Sequence, residues 1–396
     1  MVAVVFFVLH FFLWGWVGSP SPFPSIHFLG HNLSDFTPRD LPVLLSLAER
    51  NWFNEPLELI IDDKRFLLAK KDLHLSWDTR ALRRLIKQAE ANDIISPVIQ
   101  YNEEKMHTQL QNIANYTYIS PQDAYLEKGI VHPSLPGRAL DIEKATHILH
   151  NALSEGQSRV ELDCFQTFSP NIETADLMVD LGFPHLLGSH TTCLQSRDEE
   201  TLFNISKACS SVHGVVLEAG SIFSFNQEVG PAEKEDGYLE TRIVVNGRLV
   251  PGYGGGICQV SSTLYNTVLK SGGEVVERHP HSGYSETTSY VLPGLDAAVS
   301  YGHLDMRFRF PHQRVVILAY ISGDTLTTEI WGEKEETLQR DLSTKYVDFR
   351  DQGNGEGMLE VRTTSLIRGE MEFEHRDVYR IPSDFALTLI EKKEME

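Results

Sequence analysis

The segment Gly254-Gly255-Gly256-Ile257-Cys258-Gln259-Val260-Ser261-Ser262-Thr263-Leu264-Tyr265 is where this sequence could do chemistry. Three glycines allow backbone paths and close approaches that a Cβ forbids. Ile257, Val260, Leu264 and Val268 then recur at helical spacing until Gly272-Gly273 ends the run. A glycine loop thus delivers Cys258 to the first turn of a buried helix. There the positive end of the helix dipole favours a thiolate, and unpaired amides could hold an oxyanion. Downstream, Glu274 to Arg278 reads as a strand leading to His279-Pro280-His281, and a second strand over Thr288 to Leu292 leads to Asp296. Cysteine on a helix, then histidine, then an acid is the order of a thiol triad.

Two readings of these residues stand side by side. In the enzymatic one Cys258 is the nucleophile, His281 the general base, Asp296 the group that orients the imidazole, and Gln259 or backbone amides the oxyanion donors. His279 competes for the base role; His281 is preferred because it lies beyond the strand, where a loop can lean over the helix start. In the binding reading the amides of Gly254, Gly255 and Gly256, with Arg278 and Ser261 or Ser262, hold a carboxylate or a D-amino-acid terminus without any thiolate. A metal reading would gather His279, His281, His303 and Asp305, but no H-E-x-x-H spacing supports it. No metal and no cofactor is expected.

The elements that must position this block follow from pattern. Pro56 to Leu68 alternates apolar and polar residues around Asp62-Asp63-Lys64, the signature of a hairpin. Thr79 to Ala91, with Asp78 as N-cap, Asn102 to Ala114 and Asp141 to Leu153 carry helical periodicity. Helical character returns over Asn204 to Ser211, and from Gly214 onward short strands and glycine turns dominate, including an Asn246-Gly247 hairpin turn. Met358 to Arg362, Glu370 to His375 and Phe385 to Ile390 read as a small terminal sheet. The expected class is α+β: an N-terminal α+β domain, then a cysteine-bearing helix on a mainly antiparallel sheet.

Composition narrows the partners. Lys and Arg number 35 against 55 Asp and Glu, a formal charge of -20, which argues against nucleic acid. Met1 to Gly18 has no formal charge and is nearly all apolar, so it is either a signal peptide or a membrane anchor, and it exports the chain. Residues 19–39, opening on Ser19-Pro20-Ser21-Pro22-Phe23-Pro24, then read as a stalk. Cys164, Cys193 and Cys209 form no C-x-x-C pair with each other or with Cys258 and read as small buried hydrophobes.

Gly254 to Asn266, with Glu277-Arg278-His279-Pro280-His281-Ser282 and Gly294-Leu295-Asp296-Ala297-Ala298-Val299, resembles the VanW domain. Phe223-Ser224-Phe225-Asn226, Gly237-Tyr238 and Asp305-Met306-Arg307-Phe308 belong to the same pattern, so the likeness covers 190–335. Pro121-Gln122-Asp123-Ala124 and Pro136 to Asp141 are similar to the peptidoglycan-binding domain often found before it, which gives 40–165 that role and leaves 336–396 as a charged, strand-rich tail. The resemblance implies an exported, extracytoplasmic cell-envelope protein, at the cell surface or secreted, whose partner is peptidoglycan or a cell-wall peptide. A looser analogy, in residue order alone, is to transglutaminase-like and papain-like thiol enzymes.

Overall fold

Leu57, Leu59 and Ile61 alternate with the half-buried Glu58 and Ile60, and this period of two buries one face of the strand Leu57–Ile61 completely. It pairs antiparallel with Lys64–Leu68 and parallel with Arg159–Glu161. Helices Leu41–Asn54, Thr79–Gln88, Glu103–Thr117 and Ile142–Ser154 accompany this sheet. The Asp78 side chain accepts from the amides of Arg80 and Ala81, and Asn102 and Asp141 cap the helices that follow them. Leu82, Ile86, Met106, Leu110, Ala145 and Leu149 bring the apolar stripes of the last three helices into one core with the strand.

The computed structural model describes residues 25–28, 31–33, 36–37, 39–245, 248–285, 288–335, 340–367 and 369–394. The apolar Met1 to Gly18, the Ser19 to Pro24 segment and the Asn246-Gly247 turn lie outside them. No helix among the described residues is long and apolar enough to cross a membrane. The elements above belong to one compact unit, residues 1–121 and 136–168; residues 122–135 and 169–396 form a second.

The named strands of the second unit pair antiparallel. One sheet runs in the order His185–Cys193, Thr325–Gly332, Val315–Ser322, Val216–Leu217, and a second in the order Ile222–Ser224, Arg307–Arg309, Glu274–Glu277. A third consists of the long strands Arg340–Asp351, Glu356–Ile367 and Glu370–Pro382. The helix Ile257–Lys270 packs on the first sheet and against the helix Glu199–Val212, with every residue from Gln259 to Leu269 buried. Such an element is interior on all sides, so its polar groups must find partners inside. They do: Thr263 Oγ1 lies 2.9 Å from Thr192 Oγ1, and Thr267 Oγ1 2.6 Å from Thr328 Oγ1. The class is α+β, as the patterns required.

Two expected strands are absent. Phe385 to Ile390 lies within the helix Ser383–Glu394: Pro382 ends the preceding strand, and Ala386 joins a core of Tyr284, Leu359, Val361, Tyr379 and Ile381. Thr288 to Leu292 is a turn, so Asp296 stands on a loop. Cys193, expected to be buried, is exposed at the end of its strand, whereas Cys164 and Cys209 are buried; all four cysteines are free thiols.

Candidate functional site

Gly256 enters the cysteine helix at φ 101°, a left-handed conformation that L side chains rarely adopt, and so turns the chain into its first turn. A Cβ on Gly255 would strike the Thr241 hydroxyl and stand 2.8 Å from the Arg242 carbonyl oxygen. The glycines therefore let the helix start lie tight against the strand Glu240–Val245. Cys258, at the second position of the helix, is half-buried, with Sγ 3.6 Å from the Val299 carbonyl oxygen.

The Cys258 side chain lies beside that of His281, close enough for each to shift the other's proton affinity, and His281 is itself buried. His281 Nδ1 donates to Asp296 Oδ2 at 2.6 Å, and its backbone N–H donates to the same oxygen at 2.7 Å. Since a carboxylate only accepts, Nδ1 carries a proton and Nε2 is the ring nitrogen left for the sulfur. Burial disfavours charge on all three groups, yet their mutual contacts reverse it. Burial pushes the thiol up, but the neighbouring His281 and its charge hold it below the ordinary value. Burial pushes His281 down, but Asp296 and Cys258 raise it to about 10. Burial pushes Asp296 up, but His281 and Arg278 bring it to about 2. The mutual contacts thus shift the thiol toward thiolate, the ring toward imidazolium and Asp296 toward carboxylate.

Other residues singled out by pattern serve elsewhere. Gln259 is buried and donates from Nε2 to the Thr192 hydroxyl at 3.1 Å and the Cys193 carbonyl at 2.8 Å. Both amide hydrogens are spent on that strand, so the side chain has none for an oxyanion. Ser261 donates to the Ala297 carbonyl at 2.6 Å, and Ser262 accepts from the Ala297 amide at 2.9 Å. These two buried hydroxyls fasten the Asp296 loop to the helix, which removes them from contact with an outside ligand. Arg278 is equally committed: Nη2 donates to Asp296 Oδ1 at 2.8 Å, Nε to the Asp296 carbonyl at 2.6 Å and Nη1 to Asp377 Oδ2 at 2.6 Å. His279 turns away, with Nε2 3.0 Å from Glu277 Oε1. Asp305 accepts from the Ser224 hydroxyl and from the amides of Asn226 and Met306, so His279, His281, His303 and Asp305 form no ligand cluster.

Sequence reasoning missed several neighbours. The Tyr379 hydroxyl donates to Asp296 Oδ1 at 2.6 Å, and Asp377 holds the far side of Arg278. Tyr290 lies beside the Ser262 side chain, and the Arg197 guanidinium carbon lies 5.6 Å from its ring centre. Burial and the charge at Cys258 push the Tyr290 hydroxyl well up, so it remains protonated. The strand expected over Glu370 to His375 runs on to Pro382, so Asp377 and Tyr379 lay outside the element read from the sequence.

The family model described as "VanW like protein" matches residues 200–331, which contain the cysteine helix, His281 and Asp296. The model described as "Putative peptidoglycan binding domain" matches residues 86–161. The chain is 30% identical over 225 residues to the protein YoaR of Bacillus subtilis, covering 56% of this chain and 72% of YoaR. It is 32% identical over 113 residues to the vancomycin B-type resistance protein VanW of Enterococcus faecalis, covering 28% of this chain and 41% of that protein. No solved structure matches. With a relative this similar covered over most of its length, and the cysteine block inside the matched residues, the chain belongs to the VanW-like protein family.

Proposed function

We propose that this is a cell-wall protein whose second unit transfers acyl groups through Cys258, acting on an amide bond of peptidoglycan or its peptides while residues 86–161 hold the polymer. The observation that carries the reading is the series Cys258, His281, Asp296, with His281 Nδ1 2.6 Å from Asp296 Oδ2. A half-buried thiol backed by two buried partners supplies the series, and the lowered proton affinity of the thiol suits nucleophilic attack. Support for the polymer comes from the peptidoglycan-binding match and from the name of the Enterococcus faecalis relative. Export through Met1 to Gly18 fits this location.

The chemistry balances without a cofactor. The thiolate attacks the amide carbonyl carbon, a C–S bond forms, and the carbonyl oxygen takes the negative charge. The amides of Ile257 and Gln259 donate back into the glycine loop, which leaves the Cys258 amide at the helix start as the candidate oxyanion donor. His281 gives its Nε2 proton to the departing amine as the C–N bond breaks, leaving a thioester. Neutral His281 then takes a proton from an incoming water or amine, which releases an acid or a new amide and restores the ion pair.

The deciding experiment incubates the full chain with purified sacculi and with soluble muropeptides, then follows products and intact protein by mass spectrometry. Altered muropeptides and a thioester adduct on Cys258 are expected, both lost in Cys258→Ser while that protein still folds. Wild-type protein that binds sacculi but leaves every muropeptide unaltered would overturn the catalytic reading.

A further inference from the structure

His375, Asp377 and Tyr379 occupy alternate positions of the strand Glu370–Pro382 and so share one face of it. They lie beyond residue 331, where the family match ends. Each reaches the loop that carries Asp296 or the arginine bound to it. The Tyr379 hydroxyl accepts from the Gly294 amide at 2.8 Å while donating to Asp296 Oδ1 at 2.6 Å. His375 Nε2 stands 3.2 Å from the Gly294 carbonyl oxygen, which Thr363 of the neighbouring strand also approaches at 3.4 Å. Asp377 shares Arg278 with Asp296. Tyr379 is fully buried and Asp377 nearly so.

We propose that this terminal sheet is part of the thiol site: Tyr379 and Asp377 are positioning residues that fix Asp296 and, through it, set the charge shared by His281 and Cys258. The proposal rests on the thiol reading above. Asp296 has two carboxylate oxygens and a full set of donors. Oδ2 takes His281 twice, and Oδ1 takes Arg278 and Tyr379. A carboxylate so held cannot swing, and its proton affinity is spread over four donors. Asp377 acts one step further out by drawing on the same guanidinium.

The charged and titratable groups around this cluster are Arg278, His281, Cys258, Asp377, His375, Tyr265, Tyr284, Tyr290 and Tyr379. Arg278 lies over the Tyr265 ring at 5.6 Å, and Asp377 accepts from His375 at 3.3 Å. Burial holds Tyr265, Tyr284, Tyr290 and Tyr379 above the ordinary tyrosine value, so they stay neutral across the useful pH range. The charges that matter are therefore one thiolate, one imidazolium, one guanidinium and two carboxylates, with His375 beside the outer carboxylate.

Two substitutions should move this balance in opposite directions. Tyr379→Phe deletes a donor to Asp296 and leaves the carboxylate more negative toward His281; the Cys258 thiolate then forms at higher pH. Asp377→Asn removes the charge that competes for Arg278, makes the surroundings of the pair more positive, and lets the thiolate form at lower pH. The probe is iodoacetamide, with the rate at Cys258 measured by peptide mass spectrometry from pH 4 to 10 on the full chain. Shifts of opposite sign, each about half a pH unit or more, are expected. A sheet that only stabilised the fold would lower the melting temperature of both variants without separating their profiles. If wild-type Cys258 titrates as an ordinary thiol, the thiol reading fails and this proposal with it. If the wild type is depressed but both variants keep its profile, or both shift in the same direction, only the proposal falls. Should Tyr379→Phe fail to fold, an unshifted Asp377→Asn profile would by itself refute it.

Discussion

The Tyr379 hydroxyl donates a 2.6 Å hydrogen bond to Asp296 Oδ1 across 83 residues of sequence, and both groups are buried. Asp296 thereby joins two parts of the second unit, since its other oxygen accepts from His281 beside the cysteine helix. The strand Glu370–Pro382 and the helix Ile257–Lys270 are thus coupled through this carboxylate.

Arg278 should matter to stability before it matters to any ligand. Its side chain is only 8% exposed and neutralises two buried carboxylates, Asp296 and Asp377. Arg278→Met would remove the cation the two carboxylates share, leaving Asp296 with His281 and Asp377 with His375 alone, at a cost of ~3–5 kcal/mol. Arg278→Lys should recover little of this, because one ammonium cannot reach both acids and the Asp296 carbonyl as a planar fork does. Urea denaturation checks both variants; a loss under ~1 kcal/mol for Arg278→Met, within the range of a surface pair, would contradict the buried-pair account.

How much of this was legible depended on whether the signal was local. The cap at Asp78, the alternation of Leu57, Leu59 and Ile61, and the spacing of Val260, Leu264 and Val268 are short-range patterns, and each marks its element in the fold. The approach of Cys258, His281 and Asp296 was readable in part, since a glycine-started helix and a histidine after a strand set two of the three positions. The destination of Asp296 was inferred through a strand that does not exist: Thr288 to Leu292 is a turn, and the loop is held instead by Ser261, Ser262 and Tyr379. Gln259, Ser261, Ser262 and Arg278 are polar residues whose chemistry suits a ligand and equally suits internal satisfaction. Type and spacing do not distinguish these uses, because the difference lies in which buried partner is within 3 Å. Tyr379 and Asp377 were invisible because the strand read from the sequence stopped at His375, and alternation in any case identifies a buried face but never its partner.

His279 and His281 differ in environment enough for substitution to separate them. His279 lies beside Glu277 with its side chain 37% exposed, whereas His281 is buried between Cys258 and Asp296. His281→Asn should reduce Cys258 alkylation at pH 7 by at least ~10-fold, because the thiol loses the cation that holds its proton affinity down. His279→Asn should change it by less than ~2-fold, because its ring bonds Glu277 and is not among the groups that shift the thiol. Equal effects in the two variants would count against the assignment of His281.

The glycine loop and the helix behind it should respond to added and to removed volume. Gly255→Ala places a methyl group on Thr241 and the Arg242 carbonyl, neither of which can withdraw without moving the strand Glu240–Val245. Leu264 is fully buried on the same helix, and Leu264→Ala should cost ~2–5 kcal/mol through the cavity it leaves. Gly255→Ala should instead displace the helix start, so that Cys258 alkylation falls more than stability does. Equilibrium unfolding paired with the alkylation rate checks both, and a Gly255→Ala protein with wild-type reactivity would show that the loop tolerates the methyl group.

The charge state of the thiol pair also fixes the pH dependence of stability. His281 rises to about 10 in the folded chain, against ~6.5 when unfolded. Its contribution is present in full below the unfolded value and is lost as pH rises through the folded one. Cys258 works the other way, because its folded value lies below that of an ordinary thiol, ~8.5 in an unfolded chain. Its contribution is present in full above that unfolded value and is lost as pH falls through the folded one. Where thiolate and imidazolium coexist, the folded pair and the unfolded chain bind one proton each between ~6.5 and ~8.5, so the two slopes cancel. Wild-type stability should therefore fall less steeply across that window than it would without the thiol, and decline above it until His281 loses its proton. Cys258→Ala removes one slope and uncovers the other: Asp296 still raises His281, so the melting temperature should fall steadily from pH ~6.5 upward. Thermal melts of both proteins from pH 6 to 10 provide the measurement. A Cys258→Ala protein that falls no more steeply than the wild type would mean that the thiolate alone holds the His281 proton, and that the 2.6 Å contact with Asp296 contributes nothing to it.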